Sequence, residues 1–210
     1  MKTVDSRNNW KHIDELLASE TDEWRRQMLS QLKQHIRAEC GGDLDELMKT
    51  MSDTPVHHIW SATEDTGPKG YEALKEFYTG LIGSGSNRFE YAVERIVIGD
   101  DTLVTEGELY TPFSGKMLKQ MGIPNIDETK DYATKGRAVT FWPFERDTGK
   151  IIGEDIYSLT KDFSHAEEIP LNPYVYGEEE QIRPVLKAPE PFSVSNRSTN
   201  QNSLAIQCPA

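Results

Sequence analysis

The hydrophobic period of this chain changes once, near residue 55, and that change constrains the fold more than any other feature. Before it, apolar residues recur at helical steps. Trp10, Ile13, Leu16 and Leu17 form one short stripe, and Trp24, Met28, Leu32, His35 and Ile36 form a second at intervals of three or four. Thr21-Asp22-Glu23 is a start signal for that second helix, and Gly41-Gly42 stops it. Asp43 then caps a short third helix, Leu44 to Met51. After residue 55 the period falls to two. A strand is expected over 55–60, a turn-rich stretch over 63–70, and further strands over 89–98, 102–111, 132–144 and 151–159. Gly99-Asp100-Asp101 is a hairpin signal. The helical period returns once, over Tyr71 to Ile82. Helices first, then a mostly antiparallel sheet with one inserted helix, define an α+β layout: a curved, cone-shaped mixed or antiparallel sheet wrapped around helices. Such a sheet encloses a cavity, and cavities host small ligands.

The rest of the chain sets boundaries. Its 210 residues suit one domain with a tail. Six of the eleven prolines lie beyond Ile169, so 1–163 is expected to be the body and 164–210 an extended arm, with about fifteen disordered residues at its end. Residues 113–131 form a long excursion between strands, suited to act as a lid. The net charge of −12 argues against a nucleic-acid backbone or an anionic membrane surface as partner. Cys40 and Cys208 fit neither a zinc motif nor a disulfide framework. With no apolar run of membrane-spanning length and no signal-peptide pattern, a cytoplasmic location is expected.

Several strings resemble a known superfamily. Asp43-Leu44-Asp45, Pro55-Val56-His57-His58, Gly70-Tyr71-Glu72-Ala73-Leu74-Lys75-Glu76-Phe77-Tyr78 and Gly149-Lys150-Ile151-Ile152-Gly153-Glu154-Asp155-Ile156-Tyr157 are similar to nuclear transport factor 2-like proteins. The resemblance covers about residues 20–162 and points to the SnoaL-like and ketosteroid isomerase-like branch. It implies a homodimer. It also implies three site residues. His58 stands where isomerase-like members carry a carboxylate base, His35 where they carry a helical tyrosine, and Asp155 where the epoxide hydrolase type carries an aspartate. The partner residues of that last type are absent, because the matching run is Glu106-Gly107-Glu108-Leu109.

On their own chemistry these residues keep alternatives open. His35 lies on an apolar helix face with Glu39 one turn on, which suits a satisfied core histidine as well as a ligand. Of His57 and His58 one must face inward, and alternation does not say which; the resemblance favours His58. Asp155 and Tyr157 share a face, leaving Glu154 as the solvated partner. Glu106, Glu108 and Tyr110 form another same-face set, more typical of a solvent face. The expected site thus has His58 as general base, Asp155 orienting it and His35 as acid or oxyanion donor. Trp60, Tyr78, Tyr157, Tyr71 and Trp142 are expected to contact substrate, with only one of Tyr71 and Tyr78 facing the cavity. The expected function is cofactor-independent acid–base chemistry (isomerisation, dehydration or cyclisation) on a hydrophobic molecule bearing a carbonyl or hydroxyl, such as a polyketide, steroid or terpenoid. No metal is assigned. The competing classes are a non-catalytic ligand-binding or assembly module, and a metal-dependent enzyme using His35, Glu39 and His58.

Overall fold

A computed structural model describes residues 4–61, 63–159 and 166–169. Three helices come first: α1 (Asn8–Leu17), α2 (Glu23–Gly41) and α3 (Leu44–Lys49). Their ends follow the sequence signals. The Asp22 carboxylate accepts from the Arg25 N–H at the start of α2, and the Asp43 carboxylate accepts from Glu46 at the start of α3. Between the two, Gly42 takes a left-handed φ of 72° and ends α2. Then come β1 (His58–Ser61), β2 (Glu64–Asp65), α4 (Tyr71–Ser84), β3 (Glu90–Ile98), β4 (Thr102–Ser114), α5 (Gly115–Gln120), β5 (Asp131–Pro143), β6 (Asp155–Leu159) and β7 (Glu167–Ile169). No helix among the described residues is long and apolar enough to cross a membrane.

The strands form one curved sheet in the order β2-β1-β6-β5-β4-β3, with β7 paired to the start of β5. All pairs are antiparallel except β1 with β6. The concave face packs on α2, α3 and α4, where Leu32, Ile36, Leu47, Leu74 and Tyr78 meet Leu103, Trp142 and Ile151 in one buried cluster. The edge strand β3 is covered at its beginning by α1. Asn9 accepts from the Tyr91 N–H (2.6 Å) and donates to the Phe89 carbonyl (3.3 Å), occupying positions a further strand would take.

Of the expected arm, residues 166–169 are described. Ile169 is buried against Val4 and Ala133, and the remainder, including the terminal stretch expected to be disordered, lies outside the described residues. The excursion at 113–131 holds α5, whose Leu118 is fully buried. None of its residues lines the central cavity described below.

Candidate functional site

Between the concave face and helices α2 and α4 lies an apolar cavity of about 190 Å³. Ile36, Phe77, Phe89, Tyr91, Trp142 and Ile156 supply much of its wall. A cavity of about 150 Å³ is known to take benzene, so this space suits one ring with a short substituent. Two carboxyl groups interrupt the wall, Glu39 from α2 and Glu154 from the run into β6, with the Tyr78 hydroxyl from α4 beside them.

The backbone explains why Glu154 faces in. Val56 N–H bonds the Ile152 carbonyl (2.9 Å) and His58 N–H bonds the Glu154 carbonyl (2.7 Å), so the parallel pairing begins before either strand does. In that register His58 lies beside Asp155 and Trp60 beside Tyr157, both pairs on the convex face. His57 and Glu154 therefore share the concave side, 1% and 6% exposed. Gly153 makes the approach possible: a Cβ there would lie 1.7 Å from the Val56 carbonyl oxygen.

Around Glu154 the structure builds a hydrogen-bonded cluster. Tyr78 donates its hydroxyl proton to Glu154 Oε1 (2.7 Å), while His35 Nε2 and His57 Nε2 each lie 3.1 Å from the same oxygen. The hydrogen on His35 Nδ1 follows from its other contact. The Thr50 hydroxyl donates to the Leu47 carbonyl (2.6 Å), so its oxygen accepts from His35 Nδ1–H (2.7 Å). His35 Nε2 in turn faces both Glu154 Oε1 and the Tyr78 hydroxyl (3.3 Å). His57 Nδ1 is buried with no partner among the described residues. Every hydrogen bond to this carboxylate goes to Oε1; Oε2 has none among the described residues.

The two cavity carboxyls are pushed in opposite directions. Burial acts to raise the Glu154 pKa, but the charge of His57 and hydrogen bonds from His35 and His57 outweigh it and hold the carboxyl well below the usual range. Glu39 has no such donors. Burial pushes its carboxyl well up, and the nearby Glu154 charge pushes it further. At 7% exposure its carboxyl has no hydrogen-bond partner among the described residues. The Tyr78 phenol is likewise raised by burial, then by the charges of Glu154 and Glu39, so it stays a donor. A carboxyl held as an anion beside one that holds its proton more tightly, on one apolar cavity, supplies the elements of acid–base chemistry.

Several expected placements are corrected. His58 is on the convex face, its side chain 37% exposed, with Nδ1 donating to Asp65 (2.7 Å) beside Lys69. Asp155, its neighbour in register, is on that face too, so neither enters the cavity and they do not form the expected dyad there. The inward pair is instead His57 with Glu154, which was expected to be solvated. Trp60 and Tyr157 stack on the convex face (centroids 6.4 Å apart), Tyr157 being 49% exposed, and Tyr71 is 38% exposed at the start of α4. None of the three lines the cavity; Tyr78 and Trp142 do. The set His35, Glu39 and His58 is split across the sheet, and no group able to hold a metal ion occurs among the described residues. His35 is at the cluster, behind Glu154. Glu106 and Glu108 are paired with Arg137 (2.8 Å) and Lys135 (2.7 Å) on the convex face.

Alternation leaves the choice between His57 and His58 open, and the resemblance that favours His58 points to the strand residue one place along from the inward one.

No protein-family model and no curated protein matches this sequence, so the comparison rests on structure. A candidate SnoaL-like polyketide cyclase from Shewanella denitrificans is 18% identical, with 62% of this chain and 89% of that chain covered at a TM-score of 0.51. A second, from Shewanella putrefaciens, is 12% identical over 69% and 85%, with a TM-score of 0.52. A third, from Jannaschia sp., is 17% identical over 67% and 91%, with a TM-score of 0.50. Identities this low speak to fold alone. The chain has the nuclear transport factor 2-like fold, in the form it shares with SnoaL-like proteins.

Proposed function

We propose that this protein is an acid–base enzyme of the isomerase or lyase kind, acting on a small, uncharged, hydrophobic molecule that carries a carbonyl or hydroxyl group. Glu39 gives its proton to the substrate oxygen while Glu154 Oε2 takes the proton from the adjacent carbon. With a ketone this yields the enol; with a hydroxyl beside that carbon, the C–O and C–H bonds break, a double bond forms and water leaves. His35, His57 and Tyr78 touch Glu154 Oε1 and position the carboxylate, leaving Oε2 for the reacting proton. The carrying observation is the pair of carboxyls on one apolar cavity, one the acceptor of a hydrogen-bonded cluster and the other buried without a hydrogen-bond partner among the described residues.

The test is hydrogen exchange. Monocyclic ketones incubated with the protein in D₂O should gain deuterium beside the carbonyl, read by mass spectrometry. Glu39→Gln and Glu154→Gln should each slow this by about 10²–10⁴-fold. Rates equal to wild type in both variants would remove the proposal.

The convex face supports a second element of the proposal, a homodimer. Phe141 (38% exposed), Tyr157 (49%) and Leu159 (78%) form an aromatic and aliphatic strip there, which a second copy of the chain would cover.

A further inference from the structure

The wall of the cavity has a charge pattern beyond what proton transfer requires. Among the described residues its ionisable side chains are Glu39, Tyr78, Glu154 and Tyr91, and no lysine or arginine lines it. The Tyr91 hydroxyl is turned away, donating to the Thr105 and Ala138 carbonyls (2.9 Å each). That leaves two carboxyl groups with free oxygens, surrounded by the rings of Phe77, Phe89 and Trp142. Once Glu39 gives up its proton, its carboxylate and the aromatic faces around it can hold a cation, through charge-assisted hydrogen bonds and through the rings.

We propose that the cavity is a receptor for small hydrophobic ammonium ions, held by Glu39 and the free Oε2 of Glu154, and that such amines block the site. The proposal rests on the cavity assigned above but not on turnover, so the two can fail separately. Size limits the ligand to about one ring with a short arm, since about 150 Å³ holds benzene.

Binding would be linked to a proton. The titratable groups facing Glu39 are Glu154 from the start of β6, with His57 and His35 behind it, Tyr78 from α4, and Cys40 on its own helix. None of these supplies Glu39 with a hydrogen-bonding cation. An ammonium ion would be that cation, so Glu39 releases its proton to solvent as the amine enters.

The experiment is calorimetric titration of the full chain with three molecules of one size: benzylamine, benzyl alcohol and benzoate. Benzylamine should bind about tenfold or more tightly than benzyl alcohol, and benzoate should not bind measurably. Repeating the benzylamine titration in buffers of different ionisation enthalpy should reveal proton release. Glu39→Gln, its folding checked by circular dichroism, should lose both the preference and the release. Equal or tighter binding of benzyl alcohol or benzoate to the wild-type protein overturns the proposal, and so does the absence of binding by all three. Neither result bears on deuterium exchange into ketones, which tests the reaction alone.

Discussion

Replacing Glu154 with alanine should cost the fold about 3–5 kcal/mol at pH 7, the range for removing one partner from a buried charge pair. The structure explains the size. One oxygen collects a hydroxyl at 2.7 Å and two imidazole nitrogens at 3.1 Å, all buried. Alanine removes the acceptor they share and leaves the Tyr78 hydroxyl only His57 Nε2 (2.8 Å) and His35 Nε2 (3.3 Å), in a place water reaches poorly. The gross value of three such bonds is larger, but desolvation of the carboxylate offsets part of it. Against a total stability of about 5–15 kcal/mol this is a large share. At about 2–4 °C per kcal/mol, it lowers the melting temperature by roughly 6–20 °C. Glu154→Gln keeps an acceptor and should lose less, about 1.5–3 kcal/mol. Urea denaturation over a pH series gives a second readout. The Glu154 carboxyl is held below its ordinary value in the fold, so its contribution is fully present above the unfolded pKa of about 4.3 and fades as pH falls from there toward the folded value. The gap between wild type and Glu154→Ala should narrow on that path. A loss under about 1 kcal/mol at pH 7, or a gap that ignores acid, would refute the ion-pair account of the cluster.

Glu39→Gln should do the opposite to stability at alkaline pH. A carboxyl raised in the fold favours folding less as pH climbs from the unfolded to the folded value, so the variant should gain on wild type there in denaturation curves and match it below about pH 4. For the same reason the exchange rate should decline as pH rises and Glu39 loses its proton, a pH–rate profile that Glu39→Gln should flatten. His58→Ala, on the convex face, should leave deuterium exchange at the wild-type rate and change stability by less than about 1 kcal/mol, since its partner Asp65 is a surface group. Gly153→Ala drives a methyl onto the Val56 carbonyl and should shift β6 against β1; loss of exchange together with a melting point lowered by several degrees would be read by assay and calorimetry. Tyr157→Lys should turn a dimer into a monomer in sedimentation, and an unchanged mass would remove Tyr157 from any interface.

Much of the architecture was legible in local chemistry. The caps Asp22 and Asp43, the Gly42 stop and the change of period near residue 55 are decided within a few residues of themselves, so sequence reports them directly. The site was not, because it is assembled by long-range register. Glu154 meets His35 across 119 positions and Tyr78 across 76, and whether it or Asp155 faces in depends on which strand residue pairs with His58. Strand parity is a two-fold choice, and here the convex face, rich in Trp60, Phe141 and Tyr157, imitates a core. The β1–β2 hairpin added a second decoy, since Asp65 and Lys69 satisfy His58 on the outside in a way no periodicity shows. Glu39 was visible as a neighbour of His35 on one helix face, but its lack of partners is a property of the packed molecule.

The contact of α1 with the start of β3 has a consequence for behaviour in concentrated solution. Sheets grow by adding strands at an open border, and an exposed border is where chains stick to one another. Here Asn9 caps the free N–H of Tyr91 and the carbonyl of Phe89, while the opposite border ends in the two-residue β2. Removing α1 would therefore do more than loosen a helix: it would uncover a template, and the truncated chain should polymerise through β3 at concentrations where the intact one stays dispersed.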